Sequence, residues 1–233
     1  MRTALLATLL AVPVLTQAQE PIEIGNRREL FVDGYLIEKL VNARRQLHHP
    51  VAREIAIVHD APWEGAGSGY HSVIHDGDLY RMYHRGSSLG VENATLKLGT
   101  QVYCYAESRD GIHWKKPDLG LYEHGGSKDG GSKKNNIIWT GVGVHNFAPF
   151  LDTNPNCPPA ERYKFWTKVQ GIPPEDEARG MTGPFWQMYS EDGINWNVYP
   201  DRIETPQCDT QNVPMWDDRL EKYVGYGRTR RPD

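Results

Sequence analysis

The protein has 233 residues, of which 39% are hydrophobic and 24% charged, with a formal net charge of −4. This is the balance of a globular protein with enough apolar side chains for a sizeable core, and 23 glycines and 16 prolines are too few for a low-complexity chain. The 30 acidic residues outnumber the 26 basic ones. Since the composition offers no basic excess to bind a phosphate backbone, we expect nucleic acid not to be a partner.

The first 18 residues have the pattern of a secretory signal peptide. Arg2 supplies a positive charge, residues 4–15 are apolar, and the small residues Thr16 and Ala18 precede a predicted cleavage site before Gln19. A membrane anchor would need about 20 apolar residues. We therefore expect a signal peptide at 1–18, a secreted or periplasmic mature chain at 19–233, and no membrane as a partner after cleavage.

The cysteines and histidines give no metal-binding pattern. Cys104, Cys157 and Cys208 are widely spaced, without the paired ligands of a structural zinc site, and an odd number cannot all pair within one chain. We expect buried thiols with at most one disulfide. The adjacent residues His48 and His49 would point in opposite directions in a strand. The sequence therefore predicts neither a metal nor a cofactor.

Short aromatic and β-branched runs, bounded by Gly, Pro, Asp and Asn, recur along the mature chain and predict an all-β fold. An internal repeat supports this prediction. Ser-Arg-Asp-Gly-Ile-His-Trp at residues 108–114 returns as Ser-Glu-Asp-Gly-Ile-Asn-Trp at 190–196. Asp-Gly favours a tight turn because glycine accepts positive φ without steric cost.

A longer unit occurs three times: an inner strand, a turn begun by Asp, and a second strand carrying Tyr. The three marker residues, Asp76, Asp152 and Asp217, are about 76 and 65 residues apart, which suits a four-stranded propeller blade with its loops. We predict a partial β-propeller of antiparallel blades, with units at about 60–125, 135–205 and 206–233. The chain thus holds about two and a half blades, and we expect it to be a fragment of a longer protein, because an open stack leaves unpaired strand edges.

Several segments together resemble a group of secreted bacterial proteins. They are Leu-Phe-Val-Asp-Gly-Tyr-Leu-Ile-Glu at 30–38, Gly-Tyr-His-Ser at 69–72, the run at 104–114, and Lys-Asn-Asn-Ile-Ile at 134–138. This group is similar to the five-bladed propeller glycoside hydrolases, the superfamily of arabinanases, invertases and levansucrases. The resemblance extends over residues 27–230. It implies a five-bladed ring, a carbohydrate substrate and three axial carboxylates from different blades, the last of them in a later blade.

In a propeller the innermost strands begin near the axis, so polar residues at their starts face a shared funnel. Alignment of the three units on their Asp markers places one polar pair from each unit there. The predicted substrate-binding residues are Tyr70, His71, His145, Asn146, Gln211 and Asn212, with Trp63 as an aromatic platform for a sugar ring. The alternative is that these polar groups satisfy one another and the backbone, while Trp63 packs in the core.

Glycoside hydrolysis needs two carboxyl groups about 5 to 9 Å apart. Asp209 is the first catalytic candidate, because it precedes an inner strand among uncharged neighbours. Asp33 and Glu64 are its possible companions, and a turn or surface role is the alternative for each. Asp110 and Asp192 recur with the repeat, so we assign them a structural role.

These patterns predict an exported, glycoside hydrolase-like protein that acts on an oligo- or polysaccharide through paired carboxylates in an axial funnel. The alternative is a non-catalytic propeller that binds carbohydrate or protein. A hydrolase requires a further axial carboxylate from other blades, whereas a binding module does not. The sequence leaves the choice between enzyme and binding protein open.

Overall fold

The computed structural model describes residues 20–125, 131–141, 143–168, 184–204 and 208–229. The predicted signal peptide lies outside these ranges. The chain divides into two compact units, Met1–Arg53 and Glu54–Asp233. Within the first unit, the described residues form turns and extended segments without a strand or helix.

The second unit is all-β, as the sequence predicts. Its described residues form antiparallel strands and one 3-10 turn at Pro159–Glu161, with no α-helix among them. The strands, in chain order, are β1 (Gly69–Asp76), β2 (Leu79–Gly86), β3 (Leu89–Glu92), β4 (Thr95–Leu98), β5 (Val102–Ser108), β6 (Ile137–Thr140), β7 (Phe150–Leu151), β8 (Tyr163–Lys168), β9 (Pro184–Ser190), β10 (Asn197–Glu204), β11 (Cys208–Asp217) and β12 (Lys222–Thr229). In the ranges given above, no helix is long and apolar enough to cross a bilayer.

The strands form two four-stranded sheets and two hairpins. The first sheet has the order β1-β2-β5-β6 and the second the order β10-β9-β8-β7, while β11 pairs with β12 and β3 with β4. The fourth strand of the first sheet, β6, lies within the predicted second unit at 135–205. It joins the first sheet because Ile137 pairs with Cys104 of β5.

The two copies of the repeated turn have the same hydrogen bonds. In each, the serine hydroxyl donates to Oδ1 of the aspartate, at 2.9 Å for Asp110 and 3.0 Å for Asp192. The same oxygen accepts the backbone N–H two residues later, at 2.9 and 2.8 Å. The glycine that follows has a φ of 74° in the first copy and 75° in the second. These contacts confirm the structural role assigned to both aspartates.

Alternate residues of β2 point to opposite faces of the first sheet. One face, which we call the aromatic face, packs against the second sheet around Phe147. The ring centroids of Phe147 lie 3.7 Å from Phe165 and 4.2 Å from Tyr103. The buried aromatic residues of this core are Tyr83, Tyr103, Tyr105, Phe147, Tyr163 and Phe165.

The opposite face of the first sheet, which we call the histidine face, carries His84 of β2. Its apolar part is a smaller cluster of Val102, Cys104 and Ile137, against which Trp63 and Tyr122 pack. Cys104 is fully buried and has a free thiol. The two faces of one sheet thus have different chemistry, one aromatic and the other mixed.

Candidate functional site

Three segments far apart in sequence meet at the start of β1. The Arg85 guanidinium lies over the Tyr70 ring, 4.7 Å from its centroid, and the Tyr70 and His145 rings are 5.5 Å apart. From β11, Gln211 donates through Nε2 to Ser72 Oγ at 3.0 Å and to the Tyr70 carbonyl at 3.5 Å. We call Tyr70, Arg85, His145 and Gln211 the Tyr70 cluster.

The backbone of Tyr70 adopts a φ of 55°, a region that side-chain-bearing residues rarely occupy. The register of β1 against β2 also shifts between Gly69 and Ser72. Arg85 fixes this irregular backbone, since its Nη2 donates to the Gly67 carbonyl at 2.8 Å. Such departures from regular geometry concentrate at functional sites, and here the departure directs the Tyr70 ring toward Arg85 and His145.

Two other predicted funnel residues are buried beside this cluster rather than within it. Asn146 is 2% exposed and accepts a hydrogen bond from Thr167 Oγ1 at 3.1 Å. Asn212 is 3% exposed. The backbone of Asp209 pairs with Arg228 between β11 and β12, but its side chain lies outside the described part of the chain. The structure therefore brings together Tyr70, His145 and Gln211.

His71 belongs to a second group, on the histidine face. Its Nε2 lies 2.8 Å from Nε2 of His59, and its ring stacks on His84 with centroids 5.5 Å apart. Both of these histidines approach Glu64 Oε1, His84 through Nε2 at 2.9 Å and His59 through Nδ1 at 3.5 Å. We call His59, Glu64, His71 and His84 the histidine cluster. Because adjacent strand residues point to opposite faces, His71 does not join Tyr70.

Glu64 and His84 are buried, at 4% and 0% exposure. Lys116 Nζ contacts the second carboxylate oxygen, Glu64 Oε2, at 2.5 Å and lies 3.3 Å from Asp60. Burial acts to raise the pKa of Glu64, but the contacts with His59, His84 and Lys116 outweigh it and hold that pKa well below its usual range. Glu64 therefore favours its ionised form.

Two imidazoles of the cluster, His71 and His84, have lowered pKa values. Partial burial, together with the nearby His84 and His59, lowers the pKa of His71 to about 4. Burial also lowers the pKa of His84, although its hydrogen bond to Glu64 acts in the opposite direction. Neutral imidazoles and an ionised carboxylate are the forms in which these side chains bind metal ions. The histidine cluster could therefore hold a cation through His59, Glu64 and His84, whose ligand atoms lie within 4.8 Å of one another.

The remaining sequence candidates have structural partners. The indole Nε1 of Trp63 donates to Asn136 Oδ1 at 2.8 Å, and the ring packs on the histidine face. Asp33 lies in the N-terminal unit, where its Oδ1 accepts the Tyr35 backbone N–H at 2.9 Å. Trp63 thus packs against the smaller apolar cluster, and Asp33 lies in a turn.

Four residues in or beside the two clusters were not predicted from the sequence: Arg85, His59, His84 and Lys116. One pair could have been found from the predicted hairpin. In a regular hairpin that pairs Ser72 with Tyr83, the next residues outward, His71 and His84, would lie opposite each other; the bulge between Gly69 and Ser72 interrupts the pairing, but the two rings still stack. His59 and Lys116 come from loops, and no local pattern brings a loop residue to a given strand.

Two curated proteins are similar to this chain. They are the uncharacterized protein Rv1502 of Mycobacterium tuberculosis strain H37Rv and the uncharacterized protein MT1551 of strain CDC 1551, each 28% identical over 174 residues. The matches cover 69% of this chain and 48% of each relative, so the chain spans about half the length of the curated relatives it matches. No protein-family model and no solved structure matches the chain.

Proposed function

We propose that this protein is an exported β-propeller that binds carbohydrate, with the Tyr70 cluster as part of its sugar site. The observation that carries the proposal is the meeting of Tyr70, His145 and Gln211, one from each predicted unit, across 141 residues of sequence. Units related by rotation about one axis bring equivalent strand starts together, whatever loops lie between them. Convergence of this kind is what a propeller funnel requires.

The chemistry of the cluster suits a neutral polyol. Gln211 and His145 provide both donors and acceptors, and Arg85 provides donors only, so together they match the mixed character of sugar hydroxyls. The Tyr70 ring, half-buried, offers an apolar surface with a polar tip, against which a sugar C–H face can pack. Arg85 and Gln211 contact uncharged groups, namely the Gly67 carbonyl, His145 and the Ser72 hydroxyl.

The carboxylates favour binding over hydrolysis. A glycosidase needs a protonated carboxyl group as the acid and an ionised one as the base or nucleophile. The lowered pKa of Glu64 disfavours the acid role, and Glu64 lies on the histidine face, apart from the Tyr70 cluster. Asp33 is an exposed turn residue of the N-terminal unit. Of the three carboxylates predicted to be catalytic, only Asp209 has a side chain whose place is not described, while binding uses side chains already assembled.

The test is affinity electrophoresis of the full chain through gels that contain soluble furanose polysaccharides such as arabinan and levan. We expect at least one polysaccharide to retard the wild-type chain. Tyr70→Asn should abolish retardation, because it removes the ring while retaining a residue that tolerates positive φ. Tyr226→Asn is the matched control, since Tyr226 is 64% exposed on β12 and makes no contact with the cluster among the described residues.

Release of reducing sugar, measured on the same samples, separates a hydrolase from a binding protein. Retardation without release supports the proposal as stated, and release that Tyr70→Asn abolishes would extend it to an enzyme. Absence of retardation by every polysaccharide, or equal retardation of wild type and Tyr70→Asn, would contradict it.

A further inference from the structure

The histidine cluster contains more metal-binding groups than an ion pair needs. Lys116 alone neutralises Glu64, with Nζ 2.5 Å from Oε2. Three imidazoles nevertheless surround the same carboxylate, with ring centroids 4.7 to 5.5 Å apart. Imidazoles are preferred ligands of borderline transition-metal ions.

We propose that His59 Nδ1, Glu64 Oε1 and His84 Nε2 form a binding site for a divalent transition-metal ion, with Zn²⁺ as the best match. Zn²⁺ binds imidazole nitrogen and carboxylate oxygen at about 2.0 to 2.2 Å, which places neighbouring ligand atoms of a tetrahedral site about 3.4 Å apart. The distance between His59 Nδ1 and Glu64 Oε1 is 3.5 Å. The distance between His84 Nε2 and the same oxygen is 2.9 Å, a hydrogen bond that the ion replaces.

The nitrogen that His59 directs at Glu64 has no hydrogen-bond partner. His59 Nδ1 is buried, and no described residue accepts or donates a hydrogen bond there. A buried polar atom without a partner is uncommon in native structures. Its neighbour at 3.5 Å is a carboxylate oxygen, too far for a good hydrogen bond but at the spacing of two ligands that share an ion.

His71 acts as a positioning residue for His59. Their Nε2 atoms are 2.8 Å apart, so one must donate and the other accept. When His59 donates from Nε2, its Nδ1 carries a lone pair directed at Glu64, which is the tautomer that binds metal. A ligating histidine generally makes such a second hydrogen bond, and loss of the partner costs about 10- to 100-fold in metal affinity.

Lys116 sets a limit on the site. Its ammonium group occupies the Oε2 side of Glu64, which leaves Oε1 as the single carboxylate ligand atom. The ammonium also repels an incoming cation. Three protein ligands leave a fourth tetrahedral position for water or a ligand, as in sites where zinc is reactive rather than structural. This inference is independent of the carbohydrate proposal, because the two clusters lie on opposite faces of the first sheet.

The test is isothermal titration of the chelator-treated, tag-free chain with ZnCl₂, followed by metal analysis after dialysis. We expect one Zn²⁺ for each chain. His59→Gln should weaken binding by about 100-fold or more, and His71→Ala by about 10- to 100-fold. Lys116→Met should tighten binding, since it removes the competing cation. If the histidine cluster is only an ion-pair network, neither the wild type nor any of the three variants should bind zinc.

His113→Ala is the matched control. His113 also contacts a carboxylate, Asp110 Oδ2 at 2.7 Å, but its side chain is 85% exposed and has no second imidazole beside it. We expect this variant to bind zinc as the wild type does. Circular dichroism of each metal-free variant checks that the strands are retained, so that a loss of zinc binding is not a loss of fold. Absence of stoichiometric binding in wild type, or binding that His59→Gln and His71→Ala leave unchanged, would overturn the proposal.

Discussion

The two faces of the first sheet are built from the same strands but exclude water in different ways. The aromatic face does so by packing, with Tyr83, Tyr103 and Tyr105 fully buried against the rings of the second sheet. The histidine face does so with a polar network in which Glu64 and His84 are buried beside a few apolar side chains. Packed aromatic rings stabilise the folded protein but offer few groups that bind ions or transfer protons. A buried carboxylate among imidazoles costs desolvation energy, but its groups can still bind a cation or exchange a proton. We therefore expect the aromatic face to contribute most of the folding stability, and the histidine face to contain the reactive side chains.

The largest expected effect tests the aromatic face. Phe147→Ala removes the ring at the centre of the core, where Phe165 is 3.7 Å away between centroids. We expect the free energy of unfolding to fall by about 3–5 kcal/mol, as for other buried Phe→Ala changes. Denaturant unfolding followed by tryptophan fluorescence measures this change. Val73→Ala, at a 53% exposed position on the histidine face, should stay within about 0.5 kcal/mol of wild type; similar losses in the two variants would contradict the comparison.

A second experiment uses the two copies of the repeated turn. Gly111→Ala and Gly193→Ala meet the same positive φ, which costs about 1–2 kcal/mol for a residue with a Cβ. The surroundings differ, because a Cβ at Gly193 would lie 2.4 Å from the Tyr83 hydroxyl, whereas at Gly111 the nearest atoms, on Tyr80, are 3.8 Å away. We expect Gly193→Ala to destabilise the protein by about 1–3 kcal/mol more than Gly111→Ala. Equal unfolding free energies of the two variants would contradict this prediction, because they would mean that Tyr83 can shift to accommodate the new Cβ.

The smallest expected effect concerns the polar link at the edge of the aromatic face. Asp76, at the end of β1, accepts hydrogen bonds from Tyr163 and from Arg162 Nη2 at 2.6 Å. Burial acts to raise the pKa of Asp76, but the Tyr163 hydrogen bond and the Arg162 charge outweigh it, so the pKa is lowered. A lowered pKa contributes stability above the ordinary value of about 3.9, and that stability is lost as pH falls through the native value.

Asp76→Asn should therefore lower the free energy of unfolding at pH 7 by about 1 kcal/mol or less, with the difference from wild type closing as pH falls below about 4. The turn itself is retained, because Asn-Gly is as favourable as Asp-Gly. Asp217→Asn is the control, since the described partners of Asp217 are Arg219 and Leu220 in its own turn. A difference at Asp76 that stays constant from pH 7 to pH 3 would contradict the assigned pKa direction.

The parts of the fold that the sequence predicts are those fixed by local signals. The hairpin of β1 and β2 and that of β11 and β12 follow from an Asp turn between two aromatic strands, and the two repeated turns follow from Asp-Gly. The place of β6 was not predictable, because its pairing with β5 joins residues 33 positions apart, Cys104 and Ile137. Such a pairing depends on tertiary packing, which a local pattern does not encode.

The candidate site was predictable to the same extent. Alignment of the units named Tyr70, His145 and Gln211, which do meet, although His145 lies in the loop before β7 and Gln211 lies inside β11 rather than at its start. It also assigned His71 to the same surface as Tyr70, although two successive strand residues face opposite ways. The partners that define both clusters, Arg85 and His59, depend on side-chain contacts across strands and loops. No periodicity in the sequence specifies those contacts.

The buried thiol of Cys104 gives the histidine face a built-in reporter. Burial raises the pKa of this thiol far above its usual range, so the reactive thiolate is absent from the closed structure. Alkylation of Cys104 must therefore wait for β5 to separate from its neighbours, and its rate follows the frequency of that opening. With Cys157 and Cys208 replaced by serine, the rate of Cys104 alkylation would measure how often this part of the sheet opens, using a cysteine that the protein already contains.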